Sequence, residues 1–153
     1  MPKLTTKDQK EMKFIYKGKP IAKQRPRFAR GIAYDPQSSI NKKIKIEFAS
    51  QFRSQGCLKA LEGAISAQID IQCPIPKSWS KKRRIEALDQ FVTSKTGDID
   101  NVIKQVFDNL NNIAYHDDAQ IAKVYAQKTY SNDPGVRIVL TEIDPQKENQ
   151  NAC

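Results

Sequence analysis

Four aspartates and one lysine are the candidates for reactive chemistry in this chain. Asp98 and Asp100 flank Ile99, Lys104 follows one helical turn on, and Asp117-Asp118 return after a break at Asn111-Asn112. In extended backbone residues i and i+2 point the same way, so Asp98 and Asp100 share a face if the chain stays extended up to Asp100, at or near a helix N-cap. On a helix the two would diverge by about 200°. Gly97 permits a turn before them, and an apolar stripe of Val102, Ile103, Val106, Phe107 and Leu110 starts right after Asn101. Consecutive residues point in different directions, so one of Asp117 and Asp118 is expected to join the first pair. Three carboxylates and an ammonium around a small space suit a hard cation. Mg²⁺ takes oxygen ligands, keeps several waters and completes its shell with phosphate oxygens. Such a site activates water for in-line attack on phosphorus, and a lysine helps neutralise the transition state.

Plainer readings stand beside this one. Asp100 serves as a helix cap in many proteins, Lys104 can pair with Asp108 at i+4, and His116-Asp117-Asp118 can be a solvated loop. A calcium loop is excluded, because Val102 sits where an EF-hand needs an oxygen ligand and no glycine follows it. A phosphatase-type nucleophile would be fed by a hydrophobic strand, and Ser94-Lys95-Thr96-Gly97 is not one. His116, a lone loop histidine, receives no role, and Asp117 is a supporting group or a simple loop acid.

The charge is divided along the chain. The formal net charge is +9, yet residues 1–95 hold 21 Lys and Arg against 8 Asp and Glu, while residues 96–153 hold 5 against 9. A basic body joined to an acidic site points to a polyanion handled by carboxylates. The length of 153 residues suits one domain. No apolar run approaches the roughly 20 residues of a membrane span, and the polar start MPKLTTKDQKEMK is no secretory signal. The cysteines Cys57, Cys73 and Cys153 are odd in number and far apart, which suits a reducing cytosol and gives neither a disulfide framework nor a zinc site.

The elements that must position the aspartates follow from periodicity. Residues 1–11 read as a tail, and a first strand is expected at Lys13–Lys17. The stretch GKPIAKQRPRFARGIAYDP, rich in glycine, proline and cations, reads as a long basic loop. Ser38 or Ser39 caps a helix whose Ile40, Ile44, Phe48 and Phe52 recur every four residues to near Gly56. Residues 63–73 alternate as a half-buried strand with Ile65, Ala67, Ile69, Ile71 and Cys73 inward. After Pro74-Ile75-Pro76, a cap at Ser78 or Ser80 opens a short basic helix to about Leu88. The aspartate-led helix comes next, then two strands near 120–130 and 135–143 around Ser131-Asn132-Asp133-Pro134-Gly135, and a polar tail from 144. The order β-α-β-α-α-β-β favours an α+β or mixed α/β fold, with a small sheet and packed helices, over a doubly wound one.

These blocks resemble the RusA family of Holliday-junction resolvases. The strongest match is Asp98-Ile99-Asp100-Asn101 with Lys104, Asp108 and Leu110, then Asn112-Ile113-Ala114 and Asp117-Asp118-Ala119-Gln120. Gly18-Lys19-Pro20 running to Arg25-Pro26-Arg27-Phe28, and Pro76-Lys77-Ser78-Trp79-Ser80-Lys81-Lys82, resemble members common in phages and prophages. The similarity covers roughly residues 12–143. It implies a small α/β homodimer, cytoplasmic in a bacterial or phage-infected cell, that nicks four-way DNA junctions symmetrically with Mg²⁺ or Mn²⁺. The family's essential aspartates fall on Asp98, Asp100 and Asp118, expected metal ligands, and its catalytic lysine on Lys104. Phosphate binding is expected from Lys23, Arg25 and Arg27 in the loop and from Lys77, Lys81, Lys82, Arg83 and Arg84 in the second run, with steep salt dependence. Either run alone would read as a solvated charged face. Trp79 is expected to be structural, anchoring its helix on the core or closing a dimer interface, rather than to stack on a base.

Overall fold

The computed structural model describes residues 10–94 and 98–144. Gly97, and most of both expected tails, lie outside the described residues. Strand β1 (Glu11–Lys17) begins two residues before the expected Lys13 and buries Met12 and Phe14. The basic loop holds an unexpected hairpin of β2 (Arg27–Ala29) and β3 (Ile32–Tyr34). Helix α1 (Ser38–Ser54), strand β4 (Ile65–Pro74), helix α2 (Lys81–Ala87) and helix α3 (Ile99–Leu110) follow. A 3₁₀ turn at Asp118–Gln120 leads into β5 (Ile121–Ser131), and β6 (Gly135–Glu142) closes the fold.

The main sheet runs β1-β6-β4-β5, with β4 and β5 parallel and the other pairs antiparallel. This is the mixed sheet expected of an α+β chain. Alternation decides the faces: Ile65, Ala67, Ile69, Ile71 and Cys73 are all buried, against Val136, Ile138 and Leu140 of β6 and the helix stripes. Phe14 and Phe48 meet edge-to-face with centroids 5.6 Å apart, locking α1 on β1. Gly135 lies where β6 passes β1 so closely that a Cβ would come within 2.5 Å of the Tyr16 carbonyl oxygen.

Polar side chains complete what the apolar pattern leaves open. Strand β1 is a sheet edge, whose unpaired backbone would otherwise invite another strand. The Gln51 side chain accepts from the Ile15 amide and donates to its carbonyl, at 2.8 and 2.7 Å. Gln55 does the same for Lys13 at 2.7 and 2.6 Å. At the other end of α1, neither Ser38 nor Ser39 is the cap. Gln37 holds that position without a side-chain cap bond, and Asp35 takes the Gln37 amide (2.8 Å) and the Asn41 side chain (3.1 Å) instead. No helix among the described residues is long and apolar enough to cross a membrane.

Candidate nuclease site and nucleic-acid interface

Helix α3 starts earlier than its apolar stripe. The helix begins at Ile99, so Asp98 is the N-cap and Asp100 lies in the first turn. This corrects the expectation of extended backbone up to Asp100, and with it the same-face argument for the two carboxylates. The physical reason is that the first helical turn needs no packing, so the apolar pattern marks a start three residues late. Asp98 makes no side-chain bond to the helix end it caps. An aspartate there ordinarily spends its carboxylate on the N2 or N3 amide; this one keeps it free. Asp98, Asp100 and Lys104 are all exposed.

Asp117 and Asp118 form a second cluster. Asp117 caps the 3₁₀ turn: its Oδ1 accepts from the Ala119 amide at 2.8 Å, and Gln120 Oε1 answers with bonds from the His116 and Asp117 amides at 2.9 and 3.1 Å. The two adjacent carboxyls influence each other in opposite directions. The Ala119 amide, aided by Asp118, lowers the Asp117 pKa, while the hydrogen bond with Asp117 raises that of Asp118. Behind them the fully buried Tyr115 hydroxyl donates to the Phe107 carbonyl at 2.7 Å. Burial first, and the Asp118 and Asp117 charges after it, push this phenol well above its usual range. The capping role of Asp117 was hidden in the sequence, though Asp117 with Gln120 three residues on is the pattern of a capping box.

The structure does not merge the two clusters. Among the described residues no three Asp, Glu, His or Cys side chains form a metal-ligating group. The 3₁₀ turn touches α3, but it enters β5 at Ile121, which pairs with Ile65, at the end of the sheet away from Pro74 and Ser131. The donor chemistry of Asp98, Asp100 and Asp118 nevertheless fits a hard divalent ion: all three offer carboxylate oxygens, and that of Asp98 is unspent at its cap.

Register brings the two basic runs together. Lys17 pairs with Gly135, Gly135 with Gln72, and Pro74 with Ser131. The loop after β1 and the segment after β4 therefore leave from one end of the sheet. Arg25 and Arg27, and likewise Lys77, Lys81, Lys82, Arg83 and Arg84, are exposed. Ser80, not Ser78, caps α2, accepting from the Arg83 amide at 3.2 Å. The Arg83 guanidinium lies 3.8 Å from the Trp79 ring centre, and Trp79 meets Tyr130 edge-on at 5.4 Å. Trp79 is thus tied to β5.

Lys23 departs from its expected part. It is half-buried and its ammonium pairs with Asp108 of α3. Its amide donates to the Asn101 carbonyl at 3.0 Å, one residue from Asp100. Gln105 and Asn109, buried on α3 beside the apolar stripe, both donate to Asn41 Oδ1, at 2.6 and 3.3 Å. The basic loop, the start of α1 and the aspartate helix are therefore one hydrogen-bonded unit. No local pattern signals this, because the partners bonded to α3 lie more than 60 residues from it in the chain.

The chain is similar in sequence to known proteins. The family model described as endodeoxyribonuclease RusA matches residues 17–141. A Bacillus subtilis (strain 168) protein named "Uncharacterized protein YqaN" is 33% identical over 140 residues, covering 86% of this chain and 96% of that protein.

Proposed function

Because this chain belongs to the RusA endodeoxyribonuclease family, we propose that it resolves Holliday junctions by paired, symmetric, Mg²⁺-dependent nicks, as a homodimer acting in DNA recombination and repair. One observation carries the reading: the basic loop is bonded through the Lys23 amide to Asn101, beside Asp100, and leaves the same end of the sheet as the second basic run. A phosphate chain held by the two runs is thereby led toward the start of α3.

Each residue then has a part. Arg25, Arg27, Lys77, Lys81, Lys82, Arg83 and Arg84 hold phosphates and displace their counterions. Asp98 and Asp100 in one cluster and Asp118 in the other would supply carboxylates to divalent ions, Mg²⁺ with Mn²⁺ as a substitute. When bound, such an ion lowers the pKa of a water and steadies charge on the phosphoryl oxygens. Lys104 is exposed one turn beyond Asp100 and makes no ion pair among the described residues, so its ammonium is free to neutralise a phosphate oxygen. Two opposed nicks require two such sites, which a two-fold dimer supplies.

The test sets a synthetic four-way junction against linear duplex of the same sequence, with wild type and Asp100→Asn, in Mg²⁺ and in chelator. The expected result is paired nicks on the junction alone, lost in chelator and lowered at least about 100-fold in the mutant with binding retained. Cutting by the mutant at the wild-type rate would remove Asp100 from the site. Cutting of flaps and junctions alike would mean a less selective branched-DNA nuclease, and binding without any cutting would mean an inactive junction-binding module.

A further inference from the structure

The hairpin of residues 27–34 is built unlike the rest of the molecule. Among the described residues its strands pair only with each other. Phe28 faces Ala33 on one side, while Arg27 with Tyr34 and Ala29 with Ile32 lie on the other. Phe28 is 77% exposed, Ile32 70% and Tyr34 46%. A surface hairpin ordinarily shows one apolar face to its own core, yet this one shows apolar side chains to solvent on both. Its turn residues, Arg30 and Gly31, have φ of 52° and 77°, as a tight two-residue hairpin turn requires. Three-residue strands rising about 3.4 Å per residue carry that turn about 10 Å from the root.

The root is fixed where the tip is bare. Gln37, itself buried, accepts from the Gln24 amide at 3.0 Å and donates to the Ala22 carbonyl at 2.9 Å. Asp35 secures the far side through Gln37 and Asn41, and the Lys23 amide bonds Asn101. An isolated two-stranded hairpin is marginal in water. This one is held at its base by the unit that presents Asp100.

Resting on the reading of the chain as a branched-DNA nuclease, we propose that the hairpin is a wedge: Phe28 and Ile32 enter the gap between base pairs at a DNA branch point while Arg25, Arg27 and Arg30 grip the flanking phosphates. Apolarity on two faces matches a slot with a wall on each side, which separated base pairs provide and a flat protein surface does not. The charge selects the same occupant. No acidic residue lies between Arg25 and Tyr34, so a polyanion is attracted, whereas a second copy of the hairpin would bring arginine against arginine.

The experiment places 2-aminopurine either at the branch point or in mid-arm of a four-way junction, bound in chelator so that nothing is cut. Wild type should raise the fluorescence at least about twofold at the branch point only, as unstacking does. Phe28→Ser with Ile32→Ser should abolish the rise and slow junction cleavage at least about tenfold, while affinity for linear duplex stays within about twofold because every arginine remains. Both side chains lie outside the core, so an unchanged melting temperature should certify the fold. An undiminished rise in the variant, with wild type cutting junctions normally in Mg²⁺, would overturn the wedge and leave the nuclease standing. A variant of lower oligomeric mass would assign the hairpin to contact between copies and overturn it too. A wild type that never cuts a junction would bring down the nuclease reading, and the wedge with it.

Discussion

Asp108 takes its cation from the distant Lys23 rather than from Lys104 on its own helix, and that choice assigns both lysines. A lysine four residues before an aspartate is the less favourable helical order, and Lys23 arrives half-buried with its amide already fixed to Asn101. Lys23 is thereby a strut, and its charge is already balanced, whereas Arg25 two residues on is exposed. Salt titration of junction binding separates the two roles. Lys23→Met should lower the melting temperature by about 3 °C, corresponding to about 1 kcal/mol, and leave the slope of log affinity against log salt unchanged. Arg25→Ala should leave the melting temperature alone and flatten that slope by about one unit. Equal flattening by both would return Lys23 to the phosphate-binding set.

Among elements, those whose packing repeats with a fixed period were legible, and those held by long-range polar bonds were not. The stripe Ile40, Ile44, Phe48, Phe52 announced α1, and alternation announced β4, because each buries one face. The hairpin at 27–34 has no buried side to alternate against, so its sequence carries the pattern of a loop. Helix α3 was read from its stripe, but its first turn and its buried Gln105 and Asn109 were not, since polar residues carry no apolar signal. Their burial depends on Asn41, whose Oδ1 serves both amides. Asn41→Ala leaves the Gln105 amide without that acceptor, and a buried unpaired donor costs about 1–3 kcal/mol. A lower urea midpoint with an unchanged slope is expected. Because Asn41 also ties Asp35 to α1, cleavage should fall beyond what the lost stability explains at temperatures where the variant is fully folded. Unaltered cleavage there would mean that the link between loop and helix does not position the site.

At the scale of the molecule, the reading of a basic body around an acidic site depends on topology that a linear charge count does not contain. Residues 1–95 are strongly basic, yet only the sheet register brings the runs after β1 and β4 to one end. The same register carries the 3₁₀ turn bearing Asp118 into the opposite end of β5, so the aspartates legible as one motif occupy two clusters within the chain. Whether the proposed dimer cuts with both its sites in one binding event is readable on a supercoiled plasmid that extrudes a cruciform. Two nicks within the lifetime of one complex linearise it, whereas a single nick releases the supercoiling and lets the cruciform reabsorb. Wild type should therefore give linear product. Co-expression with an excess of Asp100→Asn should form mixed dimers that convert this product to nicked circles. If the nicked circles do not increase, and linear product merely falls with the wild-type fraction, the two sites do not act within one dimer. The homodimeric resolvase would then give way to a nuclease whose protomers cut independently.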